Sequence, residues 1–359
     1  MSLRVLHLDS AATWRGGQNQ VLLTAKGMAD RGHASMLACR AGSPLETRAR
    51  TEGLAVRGLP LRGDLWPPGI IGLARVLRQE RPRALLLHDP HAVSAGLVAA
   101  RLAGGPSLVA VRRVDFPLRG TFSRWKYGAC GRVIVVSRAI GAVVERGGLD
   151  RSHLRLVYEG VSDRAPQPGG REALAALGVP AGAPVVGNVA ALTGHKDHAT
   201  LIEAMAILRP RAPEARLVIA GQGELRPTLE ALVQERGLGD RVVFAGFRRD
   251  LDRILPAFSV FCLSSHLEGL GTSVLDAMAF GLPVVATAAG GIPEAVEDGV
   301  SGRVVPPRDP SVLADALAEV LGNEARRRAL GAAGRRRFLE LFTTDRMVEE
   351  TVRVLEEVA

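Results

Sequence analysis

Short runs of aliphatic and β-branched residues alternate with helical stretches along almost the whole chain. This alternation is typical of a parallel β-sheet covered by helices on both faces. In the first half the predicted strands are residues 4–8, 35–38, 55–57, 84–87, 108–111, 133–136 and 155–157. In the second half they are residues 185–190, 216–220, 242–245, 260–263, 284–286 and 303–305. The pattern predicts an α/β chain with two Rossmann-like, doubly wound sheets in tandem.

A stretch rich in proline and glycine, residues 162–184, separates the two sets of strands and is predicted to be linker and loop. A length of 359 residues also exceeds the usual size of one hydrophobic core. We therefore expect domains at 1–165 and 166–340, with ligands bound beyond the carboxyl ends of the strands, in a cleft that the two sheets face. Helical periodicity continues to the end, and 341–359 is expected to cross back to the first domain.

Composition places the chain among globular proteins, with 47% hydrophobic and 23% charged residues. No apolar stretch approaches the ~20 residues that span a bilayer, and the first residues indicate a strand, so a cytoplasmic protein is predicted. The three cysteines, Cys39, Cys130 and Cys262, lie far apart without a CxxC pair. They are predicted to be isolated buried thiols rather than disulfide or zinc ligands.

The positive charge is concentrated in the first half of the chain. Residues 1–165 carry 25 Lys and Arg against 12 Asp and Glu, a net charge of +13, whereas the remainder carries 21 against 25, or −4. Such a surface attracts phosphorylated substrates or the anionic inner face of a membrane, where peripheral contact is expected. Nucleic acid is disfavoured as a partner, because the chain has neither an aromatic-interleaved basic stripe nor zinc spacing.

A glycine-rich loop after the strand at 260–263 holds the densest group of candidate residues. It leads into a helix whose first N–H groups lack intrahelical partners and suit a diphosphate. The residues expected to line this site are Gly269, Leu270, Gly271, Thr272 and Ser273. Glu268 can accept hydrogen bonds from sugar hydroxyls, and Asp276 from a ribose. Alternatively, Ser273-x-x-Asp276 matches a capping box, which would make Asp276 part of a helix cap.

Three segments of this region, Glu268-Gly-Leu-Gly, Asp276-Ala-Met-Ala-Phe-Gly-Leu-Pro and Gly290-Gly-Ile-Pro-Glu294, resemble the donor-site signature of family-4 retaining glycosyltransferases of GT-B fold. In that family two glutamates stand eight positions apart, the first on the transferred sugar and the second on the ribose. This chain has Asp276 at the second position, one methylene shorter.

The resemblance implies transfer of a hexose-type sugar from a UDP- or GDP-sugar to a glycan or lipid-linked acceptor in cell-envelope biosynthesis, without cofactor or metal. Two enzymes on related scaffolds, a nucleotide-sugar epimerase and a pyridoxal-dependent phosphorylase, remain alternatives, as does a non-catalytic nucleotide-sugar-binding protein.

The first-half motifs also resemble the family. In Trp14-Arg-Gly-Gly-Gln18, the amides of Gly16 and Gly17 are expected at the donor phosphates and Gln18 at the acceptor, although an ordinary strand-to-helix turn would also explain the glycines.

His88-Asp-Pro-His91 follows the fourth strand, where the family carries a histidine near the transferred sugar; His91 is the candidate, with a structural role as the alternative. Arg112 and Arg113 end the next strand and could bind an acceptor phosphate or pair with Asp115.

Lys196 matches the family lysine that neutralises the departing diphosphate. The family commonly has arginine five residues earlier, where this chain places Ala191 at the donor site. The missing charge shifts more of the task to Lys196, the loop amides and His195. A metal site at His195 and His198 is disfavoured because no third ligand cluster is apparent.

Two further residues complete the expected donor site. Gly221 begins a Gly-x-Gly turn after a strand, and Phe247 follows Gly246 near the expected base. As a dinucleotide fingerprint the turn lacks its third glycine, since Arg226 stands there, so NAD is disfavoured.

Overall fold

A computed structural model describes residues 2–118 and 120–359. Its strands are β1 Arg4–Asp9, β2 Ala34–Arg40, β3 Ala55–Leu59, β4 Ala84–Leu87, β5 Ser107–Arg112, β6 Arg132–Val135, β7 Leu154–Leu156, β8 Val185–Val189, β9 Arg216–Ala220, β10 Val242–Gly246, β11 Val260–Leu263, β12 Val284–Thr287 and β13 Arg303–Val305. Each predicted strand is present, with ends that differ by up to two residues.

The helices alternate with these strands. They are α1 Gly16–Asp30, α2 Pro44–Thr51, α3 Pro67–Glu80, α4 Pro90–Ala103, α5 Gly120–Gly128, α6 Arg138–Arg146, α7 Gly170–Ala175, α8 His198–Leu208, α9 Arg226–Glu235, α10 Leu251–Ile254, α11 Thr272–Ala279, α12 Ile292–Ala295, α13 Pro310–Gly322, α14 Glu324–Leu341 and α15 Thr344–Glu356.

The chain divides into two units. The first runs to Val161 and takes up Thr343–Ala359, and the second is Ser162–Phe342; the boundaries expected from the sequence were 165 and 340. In the first unit α15 packs on α1, where a Cβ at Gly27 would lie 2.6 Å from Val348 Cγ2. The side chain of Arg31 in the loop after α1 pairs with Asp345 of α15 at 2.5 Å.

The described residues of the first unit form one parallel sheet in the order β3-β2-β1-β4-β5-β6-β7. Its central strand β4 reads Ala-Leu-Leu-Leu and is buried at every position. A continuous apolar run of this kind is expected because helices cover both faces of a parallel sheet.

The described residues of the second unit repeat the arrangement in the order β10-β9-β8-β11-β12-β13. Strand β8 pairs in parallel with β9 on one side and β11 on the other, so the carboxyl ends of the three strands lie along one edge. The prediction of two doubly wound parallel-sheet domains is confirmed.

The segment predicted as linker and loop, 162–184, is more ordered than expected, since it contains α7. This short helix packs on α10, and a Cβ at Gly170 would overlap the carbonyl of Arg253. The three cysteines are buried free thiols, as predicted. Within the described residues no helix is both long and apolar enough to cross a membrane.

Candidate functional site

Lys196 and Glu268 meet at the carboxyl edge of the second sheet. Lys196 ends a 3-10 turn, Gly194–Lys196, after β8, and Glu268 lies in the loop after β11. The Lys196 ammonium donates to Glu268 Oε1, and Ser265 Oγ donates to the same oxygen at 2.7 Å. The Lys196 and Glu268 side chains are 19% and 9% exposed. Neighbouring strands thus bring together two residues that stand 72 positions apart.

Backbone hydrogen bonds fix the two loops against each other. The His266 N–H donates to the His195 carbonyl at 3.0 Å, and Ser264 Oγ donates to the Lys196 carbonyl at 3.1 Å. Thr287, at the end of β12, donates its hydroxyl to the Ser265 carbonyl. The lysine and the glutamate are therefore held in place before any ligand arrives, which suits electrostatic catalysis.

A second glycine-rich loop supports the Glu268 backbone. Gly290 has φ +51°, and a Cβ there would overlap the Glu268 carbonyl oxygen. The next residue, Gly291, donates its N–H to the Gly269 carbonyl at 3.1 Å. A residue with a side chain at 290 would therefore displace the loop that carries Glu268.

The N-terminus of helix α11 has no side-chain cap among the described residues. Its N-cap is Gly271, with φ +84°, and no described side chain accepts a hydrogen bond from its first N–H groups. Ser273 is the second helical residue and Asp276 the fifth, so neither occupies a position from which it can cap. The capping-box interpretation of Asp276 is therefore wrong, and the amides at Thr272 and Ser273 remain available to an anion.

Asp276 instead pairs with a residue that the sequence did not single out. Arg164 Nη2 donates to Asp276 Oδ1 at 2.9 Å. Burial nevertheless raises the pKa of Asp276 to about 6, and the Arg164 charge opposes this shift. No pattern in the sequence points to Arg164, which is one arginine among many and lies in the proline-rich segment.

The loops after β8, β9 and β10 approach closely on the other side of the site. A Cβ at Gly221 would overlap the Ala190 carbonyl, and the Gly221 N–H donates to the Gly246 carbonyl at 2.8 Å. Ala191 lies in the same loop as Ala190. Phe247, just past β10, is 50% exposed. The predicted donor residues of the second half therefore share the carboxyl edge of one sheet.

The two histidines near Lys196 do not converge. His198 is buried in α8, where its Nε2 lies 3.1 Å from Asn188 Oδ1, and burial together with the Lys196 charge lowers its pKa to about 4. His195 Nδ1 contacts Thr193 Oγ1 at 3.3 Å. Among the described residues, no three His, Cys, Asp or Glu side chains are grouped as metal ligands.

The predicted residues of the first half lie in the first unit. Helix α1 begins at Gly16, and Gln18 donates to Asp9 Oδ2 at 3.1 Å while accepting from the Arg15 N–H at 3.2 Å. Gly17 lies close to Arg113, since a Cβ there would be 3.9 Å from its Cδ. The two glycines are thus the first residues of α1, at the carboxyl edge of the first sheet.

His91 lies in the first turn of α4 with a side chain that is 54% exposed. Its Nδ1 lies 3.2 Å from Asp64 Oδ1. Its assignment to the transferred sugar stays a prediction.

Arg112 and Arg113 are both engaged inside the first unit. Arg112 donates to Tyr127 Oη at 3.2 Å and to the Phe116 carbonyl. Arg113 donates to Glu159 Oε1 at 3.0 Å and to the His88 carbonyl at 3.2 Å. An acceptor phosphate would have to compete with these partners, and the acceptor role of both arginines stays a prediction.

His88 belongs to a buried polar chain rather than to an exposed site. Its Nε2 lies 3.0 Å from His7 Nδ1, and the two rings stack with centroids 5.3 Å apart. Burial and the Arg113 charge lower the pKa of His7 to about 3 and hold that of His88 well below its usual value. Both rings are therefore neutral at physiological pH.

Comparison with known proteins agrees with this architecture. The model described as Glycosyltransferase Family 4 matches residues 14–164, and the one described as Glycosyl transferases group 1 matches residues 171–337. The 2-deoxystreptamine N-acetyl-D-glucosaminyltransferase of Streptomyces fradiae is 30% identical over 378 residues, covering 91% of this chain and 89% of that protein.

The D-inositol 3-phosphate glycosyltransferase of Mycolicibacterium smegmatis is 33% identical over 268 residues. The match covers 72% of this chain but only 58% of that relative. The crystal structure of Anabaena HepE in complex with UDP-glucose superposes with a TM-score of 0.87 at 21% identity, covering 99% of this chain and 100% of that one. Sequence and fold together show that the chain belongs to family 4 of the glycosyltransferases, with the GT-B fold.

Proposed function

We propose that this glycosyltransferase moves a hexose-type sugar from a UDP- or GDP-sugar to a glycan or lipid-linked acceptor, with retention at the anomeric carbon and without a metal ion. The observation that carries the proposal is the contact between Lys196 and Glu268 at the carboxyl edge of the second sheet. The open N-terminus of α11 follows in the same loop. The UDP-glucose complex of HepE supports a nucleotide-sugar donor for the family fold.

The chemistry follows from where negative charge develops. As the bond between the anomeric carbon and the diphosphate oxygen breaks, charge grows on the diphosphate. Lys196 and the amides of Thr272 and Ser273 stabilise it, aided by the positive end of the helix dipole. Glu268 accepts hydrogen bonds from hydroxyls of the transferred sugar.

For retention, the acceptor oxygen bonds to the anomeric carbon on the face that the diphosphate leaves. The acceptor's proton passes to the departing phosphate oxygen, so no protein nucleophile is required.

The acceptor is proposed from charge and from relatives. The first 165 residues carry a net charge of +13, which favours an acceptor with phosphate groups or one attached to anionic lipid. The relative from Mycolicibacterium smegmatis is named for a phosphorylated compound, D-inositol 3-phosphate. We place the enzyme in the cytoplasm, in peripheral contact with the inner face of the membrane.

The test uses the purified full chain with a panel of UDP- and GDP-hexoses. Lys196→Ala should lower kcat about 10²- to 10³-fold while donor KM changes less than tenfold, because its main contribution is to charge that appears in the transition state. Glu268→Gln should also lower transfer strongly. The matched control is Lys26→Ala, which should leave transfer unchanged. Lys26 lies in α1, where its exposed side chain pairs with Glu52.

Three results would contradict parts of the proposal. Unchanged turnover in folded Lys196→Ala removes the lysine from the mechanism. An inverted anomeric configuration in the product, seen by NMR, removes retention. Loss of transfer in EDTA that returns with a divalent cation removes metal independence.

A further inference from the structure

Asp276 is held by a single side chain from outside its own helix. Within residues 2–118 and 120–359, the hydrogen bond from Arg164 Nη2 to Oδ1, 2.9 Å long, is the one made by the Asp276 carboxylate. The Asp276 side chain is 21% exposed and that of Arg164 41%. The second oxygen, Oδ2, is thus left free to accept from a ligand.

Arg164 is itself positioned by α11. Its guanidinium carbon lies 5.9 Å from the centroid of Phe280, which follows Asp276 by one helical turn. Residues four apart share a helix face, so the guanidinium lies along one face of α11, over both side chains.

The preceding residue ties this segment to α14. Arg335 donates to both carboxylate oxygens of Asp163, at 2.7 and 2.9 Å, and also to the Ala279 carbonyl at 2.7 Å. The backbone that carries Arg164 is therefore anchored on the helix that carries Asp276, by contacts that do not involve Asp276.

We propose that Arg164 is a positioning residue of the donor site, which orients the Asp276 carboxylate so that Oδ2 accepts from a ribose hydroxyl. The inference rests on the proposed nucleotide-sugar donor. An aspartate reaches one methylene less far than a glutamate, so contact with the ribose requires that Oδ2 be turned toward it. Burial of Asp276 also favours the neutral carboxyl, and the adjacent guanidinium favours the ionised form that accepts two hydrogen bonds.

The experiment measures how the protein discriminates ribose from deoxyribose. Calorimetry gives Kd for UDP and GDP, and the nucleotide that the wild type binds more tightly is compared with its 2′-deoxy and 3′-deoxy forms. We expect the wild type to prefer the ribose form about tenfold over at least one deoxy form, the size of one charge-assisted hydrogen bond. Arg164→Gln should reduce this preference to less than threefold and leave the deoxy Kd nearly unchanged.

Two further variants separate positioning from general loosening. The double variant Arg164→Gln/Asp276→Asn should bind the ribose form no more weakly than Asp276→Asn alone, because both changes remove the same interaction. Asp163→Asn loosens the anchor of the Arg164 backbone without touching Asp276, and it should reduce the ribose preference less than Arg164→Gln does.

Several outcomes overturn the inference. One is equal weakening of the ribose and deoxy forms by Arg164→Gln, and another is an additive effect of the two changes in the double variant. A third is a larger loss of the ribose preference in Asp163→Asn than in Arg164→Gln. A wild type that binds the nucleotide without regard to ribose hydroxyls also overturns it, while leaving the proposed function standing. A wild type that binds neither UDP nor GDP overturns both.

Discussion

The fourth strand of each sheet leads into a helix, and the two helix starts are built differently. After β4, Asp89 caps α4 by accepting from the N–H groups of His91 and Ala92, each at 2.9 Å. Ser10 adds two more hydrogen bonds to the Asp89 carboxylate, both at 2.7 Å. After β11, α11 starts at Gly271 without a capping side chain among the described residues.

The difference shows how one topology serves two purposes. A capped start satisfies the unpaired N–H groups of the first turn internally and stabilises the helix by about 1 kcal/mol. An open start gives up that stability and keeps the same groups, with the positive end of the helix dipole, for an external anion. At equivalent positions the first N–H groups are therefore satisfied by a side chain in one unit and left uncapped in the other, where we propose that the diphosphate binds.

The largest effect on nucleotide binding is expected from a negative charge placed at the uncapped start of α11. Gly271→Asp and Gly271→Asn introduce side chains of nearly equal size, and both residue types tolerate a positive φ better than most. The aspartate would repel a diphosphate that the free amides attract. We expect the Kd for UDP or GDP to rise at least 100-fold in Gly271→Asp and about tenfold in Gly271→Asn, measured by calorimetry.

The asparagine variant is the control for backbone strain and for the loss of glycine. Equal weakening by both substitutions would mean that the diphosphate binds away from the start of α11. Thermal unfolding of both variants should be similar, which would show that the difference in Kd comes from charge rather than from folding.

Buried neutral histidines give a second comparison between the units. His7 stacks on His88 in the first unit, and His198 is buried in the second. Their pKa values are lowered to about 3 and about 4, mainly by burial and further by the charges of Arg113 and Lys196. A folded-state pKa below the unfolded value means that the stability is present above pH 6.5 and is lost as pH falls. Lowering the pH from 7.5 to 5 should therefore reduce the free energy of unfolding by about 2 kcal/mol for each of these histidines.

Urea unfolding of His7→Asn and His198→Asn at the two pH values tests this expectation. The difference in unfolding free energy between wild type and each variant should shrink by about 2 kcal/mol at pH 5. Asp9 and Asp276, whose pKa values are raised to about 6, act in the opposite direction, and subtraction from wild type removes their share. A difference that does not change with pH would mean that the ring concerned has the same pKa in the folded protein as in the unfolded chain.

Local patterns in the sequence were enough to predict the sheets and the main site loop. Strands such as β4 and β11 are short buried aliphatic runs, and the glycines around Glu268 indicate a backbone that approaches its neighbours closely. Lys196 and Glu268 follow adjacent strands, so parallel topology alone places them at one edge. These features depend on neighbours in sequence or on the order of strands.

Contacts between distant side chains could not be predicted in the same way. Arg164 stands 112 positions before Asp276, in a segment whose prolines indicate a linker, and no periodicity connects the two. The pairing of Arg113 with Glu159, 46 positions apart, gave no signal either. The capping-box prediction failed because the helix starts one residue before Ser273, which a sequence pattern cannot fix to within a single residue.

The smallest expected effect concerns Asp276, which does not cap α11. With a pKa of about 6, Asp276 is ionised at pH 7.5 and about nine-tenths protonated at pH 5, so its acceptor strength falls with pH. Calorimetry should show binding of a UDP- or GDP-hexose weakening up to about tenfold over this range. Asp276→Asn should bind more weakly at pH 7.5 and show a nearly flat profile.

The phosphates of a sugar diphosphate stay ionised throughout this range, so they do not contribute to the change. All other groups are present in both proteins, so the difference between wild type and Asp276→Asn isolates the carboxylate. A wild-type profile parallel to that of Asp276→Asn would show that Asp276 does not contact the donor. The uncapped start of α11 would then explain binding of the diphosphate only, and Asp276 would take no part in binding the ribose.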